Sequence, residues 1–100
     1  MSLLEAHLAA LAVTGRTVTY GALARDLGLR IGELAAGLEA LMEQDVAAGQ
    51  PLRAALCEGK LSQGLPAQGF FLKCIALGLD VGDPSTFVAF HRQQLFGTGK

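Results

Sequence analysis

Charge is scarce in this 100-residue chain: 8 lysines and arginines face 9 aspartates and glutamates, and the formal net charge is -1. No whole-molecule field therefore draws it to nucleic acid or anionic lipid, and any such binding must come from a local patch. Cysteine is scarce too. Cys57 and Cys74 form no Cys-x-x-Cys pair, so no zinc-type ligand spacing is present. One bridge between them is chemically open, but no basic region and cleavable apolar run accompany Glu5 and His7 near the start. The expectation is two reduced, buried thiols in a cytosolic protein. Apolar stretches are broken by charge or glycine before the roughly 18 to 20 residues a membrane span needs. His7 and His91 have no carboxylate or cysteine at a spacing that defines a site. They are expected to be structural, and no catalytic residue, metal ligand or cofactor is assigned.

Hydrophobic residues make up 51% of the chain, which suits a folded globular domain, and the length suits one domain spanning 1–100. Ser2 and Glu5 have capping-box spacing, and Leu4, Leu8 and Leu11 recur at helical steps until Gly15, predicting a first helix over 3–14. Thr17-Val18-Thr19 is β-branched and predicts a strand of two or three residues. Thr19 then caps a second helix, with Leu23, Ala24 and Leu27 inward and Gly28 as its left-handed exit. Tyr20 is expected to cover the core between these two helices. A third helix over 31–48 follows from the stripe Ile31, Leu34, Leu38, Leu41, Met42 and Val46, ended by Gly49.

Pro51 blocks continuation, and residues 52–57 are expected to be extended, with turn chemistry at 58–60 and 62–66. A β-hairpin wing closing near Gly69-Phe70-Phe71 is the expectation. Residues 71–77 fit either a return strand or a short helix stopped by Gly78, and helix is favoured. Asp83-Pro84 opens a last helix over 84–96, with Phe87, Phe90 and Leu95 on one side, and 97–100 is expected to be a tail.

Helix, short strand, helix, turn, longer helix and hairpin resembles the order of a winged helix-turn-helix domain over 1–71, with a helical extension over 72–96. The expected class is mainly α with a small β hairpin and one or two extra C-terminal helices. Val18-Thr19-Tyr20-Gly21-Ala22-Leu23-Ala24 also resembles the DNA-binding half of alkylguanine-DNA alkyltransferases. Those proteins carry a Pro-Cys-His-Arg motif, whereas Cys57 here lies in Leu56-Cys57-Glu58, so the resemblance implies fold and not alkyl transfer. Lys60, Gly64, Pro66, Gly69 and Phe70 resemble a segment of small bacterial proteins of unknown role.

The resemblance implies a non-enzymatic binding module, with duplex DNA as first partner through the third helix. Arg25, Arg30, Arg53 and Lys60 are its candidate contacts. Residues 1–50 carry three arginines against six carboxylates, and 51–100 five basic against three acidic groups. Glu33 and Glu43 would thus meet phosphate with like charge. The alternative is association with another protein or a second copy through Ala36, Gly37, Ala40 and Ala47, small residues on the side of the third helix expected to be exposed. A third possibility is a small-ligand or catalytic site at 64–71 joined to His91 or Cys57.

Overall fold

The computed structural model describes residues 2–98, with only the backbone of Thr98. Five helices and two short strands follow in the order α1 (Leu3–Thr14), β1 (Val18–Thr19), α2 (Tyr20–Leu27), α3 (Ile31–Ala48), a 3-10 helix (Arg53–Leu56), β2 (Cys57–Glu58), α4 (Gln68–Ala76) and α5 (Pro84–Thr98). The protein is thus mainly helical with a small sheet. None of the helices among the described residues is long and apolar enough to cross a membrane.

Local chemistry sets the first three helices. The Ser2 hydroxyl accepts the Glu5 N–H and the Glu5 carboxylate accepts the Ser2 N–H, each at 3.1 Å, closing the capping box of α1. Thr19 Oγ1 accepts the Ala22 N–H at the start of α2. At its end Gly28 adopts φ 67°, and the Leu29 N–H reaches back to the Ala24 carbonyl at 2.9 Å, a left-handed exit that glycine enters without a Cβ penalty. At the head of α3 the Glu33 carboxylate accepts the Arg30 N–H at 2.8 Å. Leu34, Leu38, Leu41 and Met42 of α3 are buried as the stripe predicts.

The expected hairpin does not form. Residues 53–56 wind into a 3-10 helix, and β2 pairs in parallel with β1, Val18 against Cys57 and Thr19 against Glu58. Burial supplies the reason. Ala54, Ala55, Leu56 and Cys57 are all buried, whereas a strand with one solvated face would turn alternate residues outward. A helical turn of small residues can sit wholly inside, with α1, α3 and α5 packed around it. Parallel strands need a crossover, and α2 with α3 provides it. The residues that would form the return strand are instead helical from Gln68, with the Phe70 N–H on the Ala67 carbonyl. Helix is therefore the outcome for 71–77, to within the last residue.

Asp83 accepts both the N–H and the hydroxyl of Thr86, at 2.9 and 2.8 Å, opening α5. Val88 and Leu95 face the core, but Phe90 is exposed, because it lies on the far side of the helix from them. Of the expected tail, Gly97 and Thr98 belong to α5, and the remainder lies outside the described residues.

Candidate association groove

Two regions hold the side chains of interest. In the first, Asp45, buried on α3, accepts the Arg53 backbone N–H at 3.0 Å and pairs with the Arg53 guanidinium at 2.8 Å. A second guanidinium nitrogen meets Glu5 of α1 at 3.0 Å. The hydrogen bond to Asp45 is the main reason that the Arg53 pKa is raised, and the Ser2 N–H followed by Arg53 lowers that of Glu5. Arg53 therefore ties α1, α3 and the 3-10 helix together, and its donors face carboxylates instead of solvent.

His91 of α5 joins the same region. Its Nδ1 accepts the Leu52 N–H at 3.1 Å, and its ring lies 4.6 Å from that of Phe87, centroid to centroid. Burial lowers its pKa, against the attraction of Asp45, so the neutral ring is the form that the site favours. Arg92 Nε donates to the Ala55 carbonyl at 2.7 Å, while its Nη2 is buried with no hydrogen-bond partner among the described residues. Burial pushes the Cys57 thiol up to about 12 and that of Cys74 up to about 11. Neither cysteine is in a disulfide, and both remain thiols near neutral pH, which suits packing better than nucleophilic attack.

The second region is an open groove of about 330 Å³ between α2, α3 and α4. Leu34, Leu38 and Met42 of α3 and Phe70 of α4 form its floor, with Ala54 between. Ile31 and Ala35 form one wall, and Tyr20, Ala67 and Gly69 lie opposite. Among the described residues one charged side chain lines it, Glu39. Two polar contacts brace α4, one to α2 and one to α3. Tyr20 Oη accepts the Ala67 N–H at 3.0 Å, and Lys73 pairs with Glu43 at 2.6 Å. Tyr20 thus secures the start of α4 where the sequence suggested a cover between the first two helices. Burial raises its pKa.

The expected site residues scatter. Arg25 and Arg30 are exposed on either side of the α2–α3 turn, and Lys60 is exposed in the turn after β2. Arg53 has its carboxylate partners. Ala36, Ala40 and Ala47 are exposed on α3, but Gly37 faces α1, and a Cβ there would lie 3.1 Å from Leu4 Cδ2. The four small residues thus do not share one outward face. Segment 64–71 does contribute Ala67, Gly69 and Phe70 to a cavity, but neither His91 nor Cys57 lines it. Among the described residues no cluster of three potential metal ligands occurs.

Sequence reasoning missed the groove although it named most of its floor. Ile31 was assigned to the core by periodicity, yet it is 57% exposed. Position relative to the stripe held the signal: Ile31, Ala35 and Glu39 recur every four residues along one flank of α3. No family model, curated protein or solved structure matches the chain.

Proposed function

We propose that this protein is a non-enzymatic association module whose groove between α2, α3 and α4 seats an apolar side chain from a protein partner. The observation that carries the reading is the apolar groove itself, with Ile31 left 57% exposed at its edge and a single carboxylate, Glu39, in its wall. Apolar surface gathered in a concavity, with few polar groups to orient a ligand, is the common form of a recognition pocket. On this reading the first three helices form a helix-turn-helix of winged type in which the 3-10 helix, β2 and the following turn replace the wing hairpin. Two buried thiols suit a reducing compartment, and we place the protein in the cytosol.

The test is titration of isotopically labelled protein with short peptides bearing one leucine or phenylalanine beside a lysine. Amide shifts should concentrate at Tyr20, Ile31, Ala35 and Gly69, and Ala35→Glu should abolish them. Failure of every peptide to shift these amides at millimolar concentration defeats the proposal.

A second reading, duplex DNA binding, is favoured by the exposed Arg25 and Arg30 flanking one turn, with Lys60 also exposed. Glu33, Glu39 and Glu43, all exposed on α3, oppose it. If Arg25, Arg30 and Lys60 each neutralise a phosphate, replacing any one with alanine reduces the salt slope of binding by about one. Salt-independent or undetectable binding rejects this reading.

A further inference from the structure

We propose that the occupant of the groove is the Lys60–Leu61 turn of a second copy of this chain; the proposal rests on the groove reading above and names its partner. Leu61 is 92% exposed, the most exposed large apolar side chain among the described residues. It does not hang on a loose loop. The Gly59 N–H donates to the Leu65 carbonyl at 2.9 Å, the Ser62 N–H to Gly59 at 3.2 Å and the Leu65 N–H to Ser62 at 3.0 Å. A Cβ at Gly59 would also crowd Ser62 Cβ, at 3.2 Å, so the two ends of the turn lie close together. A projecting leucine on a preformed turn loses little freedom when another surface covers it.

Charge specifies which surface. Lys60, beside Leu61, is exposed and forms no ion pair among the described residues. The groove has an apolar floor for a leucine, and Glu39 is the charged group in its wall. A leucine entering the groove brings the neighbouring ammonium towards a carboxylate of opposite sign, a pairing that adds specificity to apolar contact. Knob and socket are also close along the chain: the turn leads through Leu65 and Pro66 to Ala67 and Gly69, which line the groove. A two-fold pair can therefore exchange both turns, each copy giving and receiving the same contact. An association built on one turn and one groove from each copy falls in the class of weak and reversible contacts, so the dimer is expected only at high protein concentration.

Sedimentation velocity of the full chain up to millimolar concentration tests this. The expected result is a reversible monomer–dimer equilibrium that Leu61→Ser weakens by about a hundredfold or more, because the substitution removes a buried leucine from both exchanged contacts. Because Leu61 supports no packing within the chain, the variant keeps its fold, which circular dichroism verifies. Lys60→Glu and Glu39→Lys should each weaken the dimer, and the double variant should restore it. A monomer at every concentration, a dimer indifferent to Leu61→Ser, or a charge swap that does not restore pairing overturns the proposal. A peptide with the sequence of residues 59–64, titrated into the Leu61→Ser variant, separates the two readings. If it or an unrelated leucine peptide binds while the wild type stays monomeric, the groove reading stands and self-pairing falls. If neither binds, both fall.

Discussion

One side of this protein is cross-tied and the other is left open, although both are built on α3. On the closed side the 3-10 helix is enclosed by α1, α3 and α5, and its residues Ala54, Ala55 and Leu56 are buried. Asp45, Arg53 and Glu5 link three elements there, and His91 accepts the Leu52 N–H. On the open side α4 is held to α2 and α3 by Tyr20 and Lys73, and apolar surface between them stays accessible. The same helix thus packs one flank against other elements and leaves apolar surface accessible along the other. Residues of the closed side and of the buried groove floor should dominate unfolding energetics, and the exposed groove edge, Ile31 and Ala35, should matter mainly when a partner is present.

The largest effect should come from Leu56→Ala. Leu56 is fully buried at the centre of the closed side, and truncation removes transferred apolar area and leaves a cavity, costing about 3 kcal/mol in urea unfolding. A loss below about 1 kcal/mol would show that the 3-10 helix is not the centre of the core. Asp45→Ala comes next. It removes the acceptor of the Arg53 N–H and strands the guanidinium beside Glu5 alone. Loss of one member of a buried pair is severe, but the Arg53 side chain is 27% exposed and retains Glu5, so about 2 kcal/mol is expected. Asp45→Asn should recover part of this through the carbonyl oxygen of the amide.

Helix ends were legible because their causes lie within a few residues: Ser2 with Glu5, Thr19 with Ala22, and Asp83 with Thr86 all meet three positions apart. Residues 52–58 were not, because their conformation is settled by burial against three helices and by pairing with a strand distant in sequence. Turn chemistry at 58–60 and 62–66 does mark a turn, at 60–64, although Glu58 belongs to β2, but a turn does not state whether it joins two strands. Gly37 illustrates the same limit at a single position: helical spacing places it between Ala40 and the stripe residues Leu34 and Leu41, and the path of α1 decides that it is covered, against Leu4. The groove was harder still. Its width depends on Tyr20 reaching Ala67 and Lys73 reaching Glu43, 47 and 30 positions apart. No local pattern encodes such distances.

His91 offers a way to sharpen the comparison with pH. Burial lowers its pKa in the folded protein, so the unfolded chain takes up a proton first as pH falls. Stability from this residue is present above the unfolded value of about 6.5 and declines as pH drops below it, levelling off beneath the folded pKa. Protonation also converts Nδ1 from acceptor to donor, which opposes the Leu52 N–H. Glu5, with its lowered pKa, loses its contribution only when pH falls past the ordinary carboxylate value of about 4.3. The step between about pH 7 and pH 5 should thus be reduced in His91→Gln, measured by urea midpoints. An unchanged step would assign the pH response to another group.

The smallest effect is expected on the open side, and it is the one that separates binding from folding. Ile31 is 57% exposed at the groove edge, so Ile31→Ala should change stability by about 0.5 kcal/mol or less, as for other surface substitutions. The same change removes the γ-methylene, the γ-methyl and the δ-methyl from the groove wall, and should weaken partner binding severalfold even if they are only partly covered, since each methylene-sized group buried is worth about 0.8 kcal/mol. A large loss of stability with unchanged binding would reverse the assignment and make Ile31 part of the core. The proposed division predicts the opposite ratio: Leu56→Ala severe in the urea midpoint, Ile31→Ala nearly silent there and visible in binding. That ratio is independent of which partner fills the groove, because it compares the 3-10 helix packed on the closed flank of α3 with the open flank of α3 within the same chain.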